Sequence, residues 1–327
     1  KMDMQDSDIV PFALGRPLPA FVVAGEGAFD TDSGFSGIHA TGRLSATADR
    51  LSSLKPEFSA IGPVGINADF DFARWGDVLS VGRFDASIDA AQPVAVIRTL
   101  QAFQFNGKTG ALTAANPSRD LLDIVVQGMP LAWPAPFLGD FSLSGGDVRG
   151  EIVVAARGGG MALRSRTALT AANLSVDRAG RPLFKGIDVS TAVSADYTPQ
   201  GWQAEFTGLE AKSDRGVLAT LDARAGRLAG GEQALKATGN LRANLPGLLE
   251  QPVTRQMFGL TGGEAAIEFV ASVAATKEFL AKIELKGLAI DGTAGVERLP
   301  AITTEARADI APDGVLTINA PIRLERD

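Results

Sequence analysis

The chain has 327 residues, 45 % of them hydrophobic, with 37 glycines, no cysteine and a formal net charge of −7. That length supports a substantial buried core, and the hydrophobic share excludes a disordered chain. The missing cysteines exclude disulfides, thiolate metal sites and cysteine nucleophiles, and suit an oxidising compartment.

Lys and Arg are scattered singly, without a basic patch interleaved with aromatics, so no nucleic acid is expected as a partner. No apolar run approaches the ~20 residues that span a bilayer. The opening KMDMQDSDIVPF has no charged-then-apolar signal pattern and lacks the usual initiator. The chain therefore reads as a fragment of a longer protein, with any anchor or export signal outside it.

In chain order, GRPLPAF at 15–21 comes first, followed by the turn TDSGF at 31–35 and HATGRLSA at 39–46. Residues 93–105, PVAVIRTLQAFQF, carry apolar residues at helical spacing behind a proline and are expected as a helix. RDLLDIVV at 119–126 fits either period and is read as a strand. LSGGDVRGEIV follows at 143–153, then the glycine run 158–160, expected as a flexible hairpin loop. Ile187, Val189, Val193 and Ala195 alternate with Asp188, Ser190, Ser194 and Asp196 up to the turn ADYTPQGW at 195–202. PGLLEQPVTRQMF at 246–258 is a second expected helix. It precedes LTGGEAAIEFV at 260–270, and the proline-rich 129–141 holds the corresponding place before the first GG phrase. Ala281, Ile283 and Leu285 alternate with Lys282, Glu284 and Lys286. After ADIAPDGV at 308–315, Leu316, Ile318, Ala320, Ile322 and Leu324 share one face.

Several of these phrases recur in the same order, two of them at nearly one offset. LSGGDVRGEIV matches LTGGEAAIEFV, ADYTPQGW matches ADIAPDGV, and HATGRLSA returns as KATGNLRA at 236–243. Period-two alternation with one wet face means antiparallel sheet. The Pro–Gln–Gly and Pro–Asp–Gly phrases are hairpin turns with Gly201 and Gly314 at positive φ, and the GG pairs are turns or bulges that launch strands. The expected fold is mainly β: repeated antiparallel units forming a long curved sheet or groove, with a few short helices between them. The expected units are 1–124, 125–240 and 241–327.

Catalytic constellations are absent from this pattern. His39 is the single histidine and aligns with Lys236 in the repeat, which places it outward on a polar face. With no cysteine and no GxSxG, a nucleophilic triad has no parts. Asp30 to Gly34 resembles a calcium loop but lacks a third ligand and the distal glutamate. Asp69 and Asp71 share one strand face and read as a solvated polar face rather than a carboxylate pair. No catalytic residue, metal site or cofactor is expected, and the chain is not expected to be an enzyme.

A long sheet with one apolar face must cover it, by closing, by pairing with a second sheet, or by taking a ligand. Small aliphatic side chains on strands of this length suit a trough for acyl chains; two sheets packed as a self-filled sandwich suit the pattern equally.

The cadence of alternating strands, the ADxxPDG hairpin and the short helix running into GG, carried by 186–228 and 236–327 and more loosely by 15–90, resembles the AsmA-like superfamily with its TamB- and YhdP-type members. The resemblance implies a repeating β-groove rod in the periplasm, tethered to the inner membrane by a segment outside this chain. Its implied role is moving phospholipid toward the outer membrane and so serving outer-membrane biogenesis. The partners implied are phospholipid acyl chains and the inner and outer membranes. On that reading the groove lining is Ile187, Val189, Val193, Phe206, Leu221, Ile267, Phe269, Ile283, Leu285, Ile318 and Ile322. The alternative is a structural or adhesive β-repeat scaffold with a self-packed core and no lipid.

Overall fold

The structure is a computed structural model that describes residues 2–5, 19–34, 36–134, 138–198, 200–228, 235–254, 259–274, 277–292, 295–310 and 315–325. The chain is mainly β, with 76 % of the described residues in strands and 4 % in helix. It divides into two compact units, Lys1–Leu169 and Thr170–Asp327. The boundaries expected at 124/125 and 240/241 fall inside strands that pair on both sides.

The first unit is an antiparallel meander. Its strands are β1 (Met2–Gln5), β2 (Ala20–Thr31), β3 (Gly37–Asp49), β4 (Val64–Trp75), β5 (Val78–Asp89), β6 (Pro93–Thr99), β7 (Phe103–Asn106), β8 (Leu112–Ala114), β9 (Asp120–Pro130), β10 (Phe141–Ser144) and β11 (Asp147–Arg157). Strands β1 to β5 pair in sequence. β5 then pairs with both β6 and β7, β6 pairs with β9, and β9 with β11. Two short 3-10 turns, Leu51–Ser53 and Pro56–Ala60, separate β3 from β4.

Residues 93–105 are not helical, which corrects the sequence expectation. Val94, Val96 and Ile97 are β-branched, stiff at χ1 and well matched to a pleated surface. They form β6, where Val94 is fully buried and Ile97 stands opposite Ile124. Residues 119–126 are strand, as read. No helix occurs among the described residues of 129–141, where β9 runs to Pro130 and turns follow.

β12 (Gly160–Arg178) contains the boundary between the units. The second unit continues with β13 (Arg181–Thr198), β14 (Gly201–Ser213), β15 (Gly216–Leu228), β16 (Leu235–Asn244), helix α1 (Leu245–Leu249), β17 (Leu260–Val273), β18 (Lys277–Gly292), β19 (Gly295–Arg298), β20 (Ala301–Ile310), β21 (Leu316–Asn319) and β22 (Ile322–Glu325). Strands β13 to β18 pair in sequence, β18 also holds β19 and β20, and β20 carries β21 and β22. The sheet is open and its pairings are antiparallel. The alternation expected through 316–324 breaks into two strands at Ala320-Pro321, because proline has no N–H to give to a ladder.

The hairpin expected at 195–202 is present, with Thr198 opposite Gly201 and Gly201 at φ 152°. Gly314 lies outside the described residues. The first GG phrase launches a strand and the second is a bulge just inside one. Gly145, at φ 125°, ends β10 ahead of β11, and Gly263, at φ 138°, sits in a double register shift at the start of β17.

The helix expected over 246–258 is a single turn, Leu245–Leu249. Asn244 caps it by accepting the Gly247 N–H at 3.1 Å, and Pro246 occupies the first turn. Pro252 cannot continue it, and residues 255–258 lie outside the described residues.

Candidate functional site

In an antiparallel ladder, residues directly opposite one another share a face and stand close enough to pack. The register of the second unit therefore assigns every strand position to one of two faces. Leu209 opposes Leu221, Leu221 opposes Leu241, Leu241 opposes Ile267, and Ile267 opposes Ile283; the row continues through Thr304 to Ile322. Two residues along, Val193 opposes Phe206, and the row runs through Ala223 and Gly239 to Phe269 and Ala281. On the other side of the leucine row, Val189 opposes Ala211, and the row reaches Leu285, Ile302 and Leu324. A row of alanines with Phe279 ends on Ile318, opposite Ala308.

Ten of the expected lining residues thus fall on one face by direct register. Ile187 joins them by alternation with Val189. Leu209, Leu241 and Ile302 were missed, and Leu324, though placed on the shared apolar face of 316–324, was not counted in the lining. For Leu209 the reason is a bulge: Gly208 sits at φ 58° and shifts the strand's parity between Phe206 and Leu209. Only the glycine itself signals that shift in the sequence.

The opposite face is charged. Asp222, Asn240, Glu268, Lys282 and Glu305 form one transverse row. Along the strands on that face, Lys212 pairs with Glu210 at 2.6 Å, Lys286 with Glu284 at 2.8 Å, and Arg307 with Asp309 at 2.7 Å. Bonding to Asp309 holds the Arg307 guanidinium above its ordinary pKa. Such exposed pairs add little stability, but they keep this face wet.

Burial on the apolar face is uneven. The fully buried large aliphatics of the unit are Ile187, Leu218 and Leu288, at the end carrying α1. There a Cβ on Gly263 would lie 2.8 Å from Leu288 Cδ2 and 3.3 Å from Leu245 Cδ1. Gln251, also buried, accepts the Lys185 N–H at 3.0 Å and ties the segment after α1 to β13. Beyond that plug the larger side chains of the middle rows are half-buried or, like Phe206, exposed, with Ala243, Ala265 and Ala281 buried between them, and Ile318 and Ile322 on the last strands are 66 % and 70 % exposed. A sheet face packed only by lateral neighbours has this profile; a filled core does not.

The clefts of the unit open elsewhere. One, about 810 Å³, is bordered by the charged-face residues Asp222, Glu268, Lys282, Glu305, Arg224 and Arg307, and by the row of Ala223, Gly239 and Ala281 between them. Of the expected lining residues, Phe269 alone borders it, in the row between the two charged ones.

In the first unit His39 Nε2 is 2.8 Å from Asp71 Oδ1, half-exposed on the polar face. Asp69 pairs with Arg43 at 2.8 Å and with Arg83 at 3.7 Å, so the two aspartates of β4 each serve a basic neighbour. Asp32 turns the β2–β3 hairpin by accepting the Ser36 N–H at 2.7 Å, and the Ser36 hydroxyl bond holds its carboxyl below the ordinary range. Sequence reading missed one polar cluster. Arg166 of β12 reaches Glu151 of β11 and, at 3.2 Å, Asp123 of β9; Arg164 grips Asp120 through two 3.0 Å bonds. Burial pushes the Asp123 carboxyl above its ordinary pKa, and Glu151 adds to the push. Arg166 neutralises this carboxylate pair, which makes it an ionic clasp across three strands.

Among the described residues no group of three or more metal-ligating side chains is gathered, and no helix is long and apolar enough to cross a membrane. No protein-family model matches the chain, and no curated protein or solved structure is significantly similar to it. The AsmA-like resemblance therefore rests on the residues quoted for it.

Proposed function

We propose that the apolar face of the second unit binds phospholipid acyl chains, and that the chain is a periplasmic segment of an AsmA-like, bridge-like lipid-transfer protein. The observation that carries this reading is the half-exposed apolar face itself. Its leucine–isoleucine row runs unbroken from β14 to β18, and the row beside it continues through Leu285 and Ile302 to Leu324 on β22, while the other face bears the charges. Four successive rows two residues apart cover roughly 20 Å along the strands. That exceeds the ~15 Å depth of one leaflet's hydrocarbon, half of a bilayer core. The mechanism is passive: tails slide along the apolar rows and headgroups stay hydrated at the margins. No residue is catalytic. Lining roles are shared by Val189, Val193, Phe206, Leu221, Ile267, Phe269, Ile283, Leu285, Ile318 and Ile322, with Ile187 at the plugged end.

A structural scaffold is the competing reading, and the filled pocket of Leu218, Leu245 and Leu288 beside α1 is what favours it. Site-specific photo-crosslinking in cells separates the two. A crosslinker at Ile283 is expected to capture phospholipid and one at Glu284, on the charged face, is not. Capture at neither position favours the scaffold.

A further inference from the structure

At the end of the second unit opposite α1, the apolar face finishes in a row unlike those behind it. The register carries this row from Tyr197 and Trp202, a cross-strand pair beside the β13–β14 turn, through Arg227 to Val273, Lys277 and Leu316. Tyr197 is 47 % exposed and Trp202 38 %; Val273, Lys277 and Leu316 are exposed as well. The rows behind carry almost only Ala, Val, Leu, Ile and Phe. The chain's single tyrosine and one of its three tryptophans thus stand together at this rim, with two cations in the same row.

Amphipathic rings that keep a polar tip wet, interleaved with aliphatics and long cationic stems, are the chemistry that settles at the boundary between headgroups and hydrocarbon. A protein groove would not require that mixture in one line. We propose that this rim seats in the interfacial layer of a phospholipid bilayer. Asp196, Glu278 and Asp309 lie on the charged face at the same end beside Lys236 and Arg307, and the rim's own two cations, Arg227 and Lys277, are too few to hold it by charge alone. The aromatic pair and the aliphatics hold it, and zwitterionic lipid suffices. This goes beyond acyl-chain binding by the face, because rim chemistry acts whether or not the rows behind it carry lipid.

The test is partition of the whole chain onto phosphatidylcholine vesicles, read by sedimentation and by tryptophan emission. We expect binding that persists in 0.5 M salt, with a blue-shifted emission component that Trp202→Phe removes and that brominated lipid quenches. The Tyr197→Ser/Trp202→Ser double variant keeps the wild-type melt, since both side chains are exposed, and loses partition about tenfold. Absence of partition, partition confined to anionic vesicles at low salt, or partition unchanged in the double variant would each overturn the inference. Lipid crosslinks at Ile283 without vesicle partition would sink this inference and leave the acyl-chain reading standing; partition without crosslinks would do the reverse.

Discussion

The Phe269 ring of β17 lies over Gly239, its partner on β16: a Cβ on Gly239 would stand 2.6 Å from the ring and 2.8 Å from the Asp222 carbonyl oxygen. The missing side chain is what lets the ring fold flat across the neighbouring strand, 6.2 Å from the Phe279 ring. Gly239→Val must lift the ring and displace backbone, so it is expected to cost about 2 kcal/mol, read in chemical denaturation. Gly239→Val combined with Phe269→Ala should recover part of that loss. Full additivity of the two changes would mean the pair does not interact.

Gly263 joins the repeated GG phrase to the plug beside α1. Its φ of 138° and its approach to Leu288 and Leu245 leave no room for a side chain. Gly263→Val is expected to destabilise by about 2–3 kcal/mol through backbone strain and overpacking. Gly208→Val, also at positive φ but with open space around the missing Cβ, should cost only the strain, about 1 kcal/mol. Equal costs at the two positions would argue against a packed plug.

The Arg166 clasp carries a pH signature. Asp123 is raised in the folded state, so it binds its proton more tightly folded than unfolded. Its contribution to stability is present below the ordinary carboxyl pKa of 3.8 and is lost as pH rises through the raised value. Arg166→Leu leaves Asp123 and Glu151 facing each other without their cation, with Asp120, Arg164 and Arg98 close by. The variant is expected to lose about 2 kcal/mol at pH 7 and to recover much of it as the pH is lowered and Asp123 takes up a proton. A pH-independent loss in paired melts would contradict the clasp.

Much of this architecture was legible because one face is apolar and the strand period is two. Ile283, Leu285 and the alternating Lys282, Glu284 and Lys286 declare both faces without any structure. The turn before Gly201 and the strand-launching glycines were legible because proline and glycine restrict φ in opposite ways. What failed has physical causes. Val94 and Ile97 fit helical and strand periods alike over a short apolar run, and pairing with β5 and β9 decides between them. The second helix stops after one turn because Pro252 intervenes. The parity slip at Gly208 hid Leu209, and the partnership of Arg166 with Asp123 depends on a register between strands far apart in sequence.

Ile283 sits mid-face between Ile267 and Thr304, half-buried. In a filled core Ile283→Asp would bury an unpaired charge at a cost of several kcal/mol. On an open face the carboxylate stays hydrated, and the variant is expected to fold with a loss of about 1–2 kcal/mol. Aggregation, or loss of the cooperative melt, would favour the self-packed scaffold.

The most direct measurement is organic extraction of the folded, purified chain with phospholipid phosphate counted per chain. Acyl-chain binding predicts at least about one phospholipid per chain, much reduced in Ile283→Asp that has kept its melt. A fully folded chain made in contact with membranes and yielding no phospholipid would contradict it.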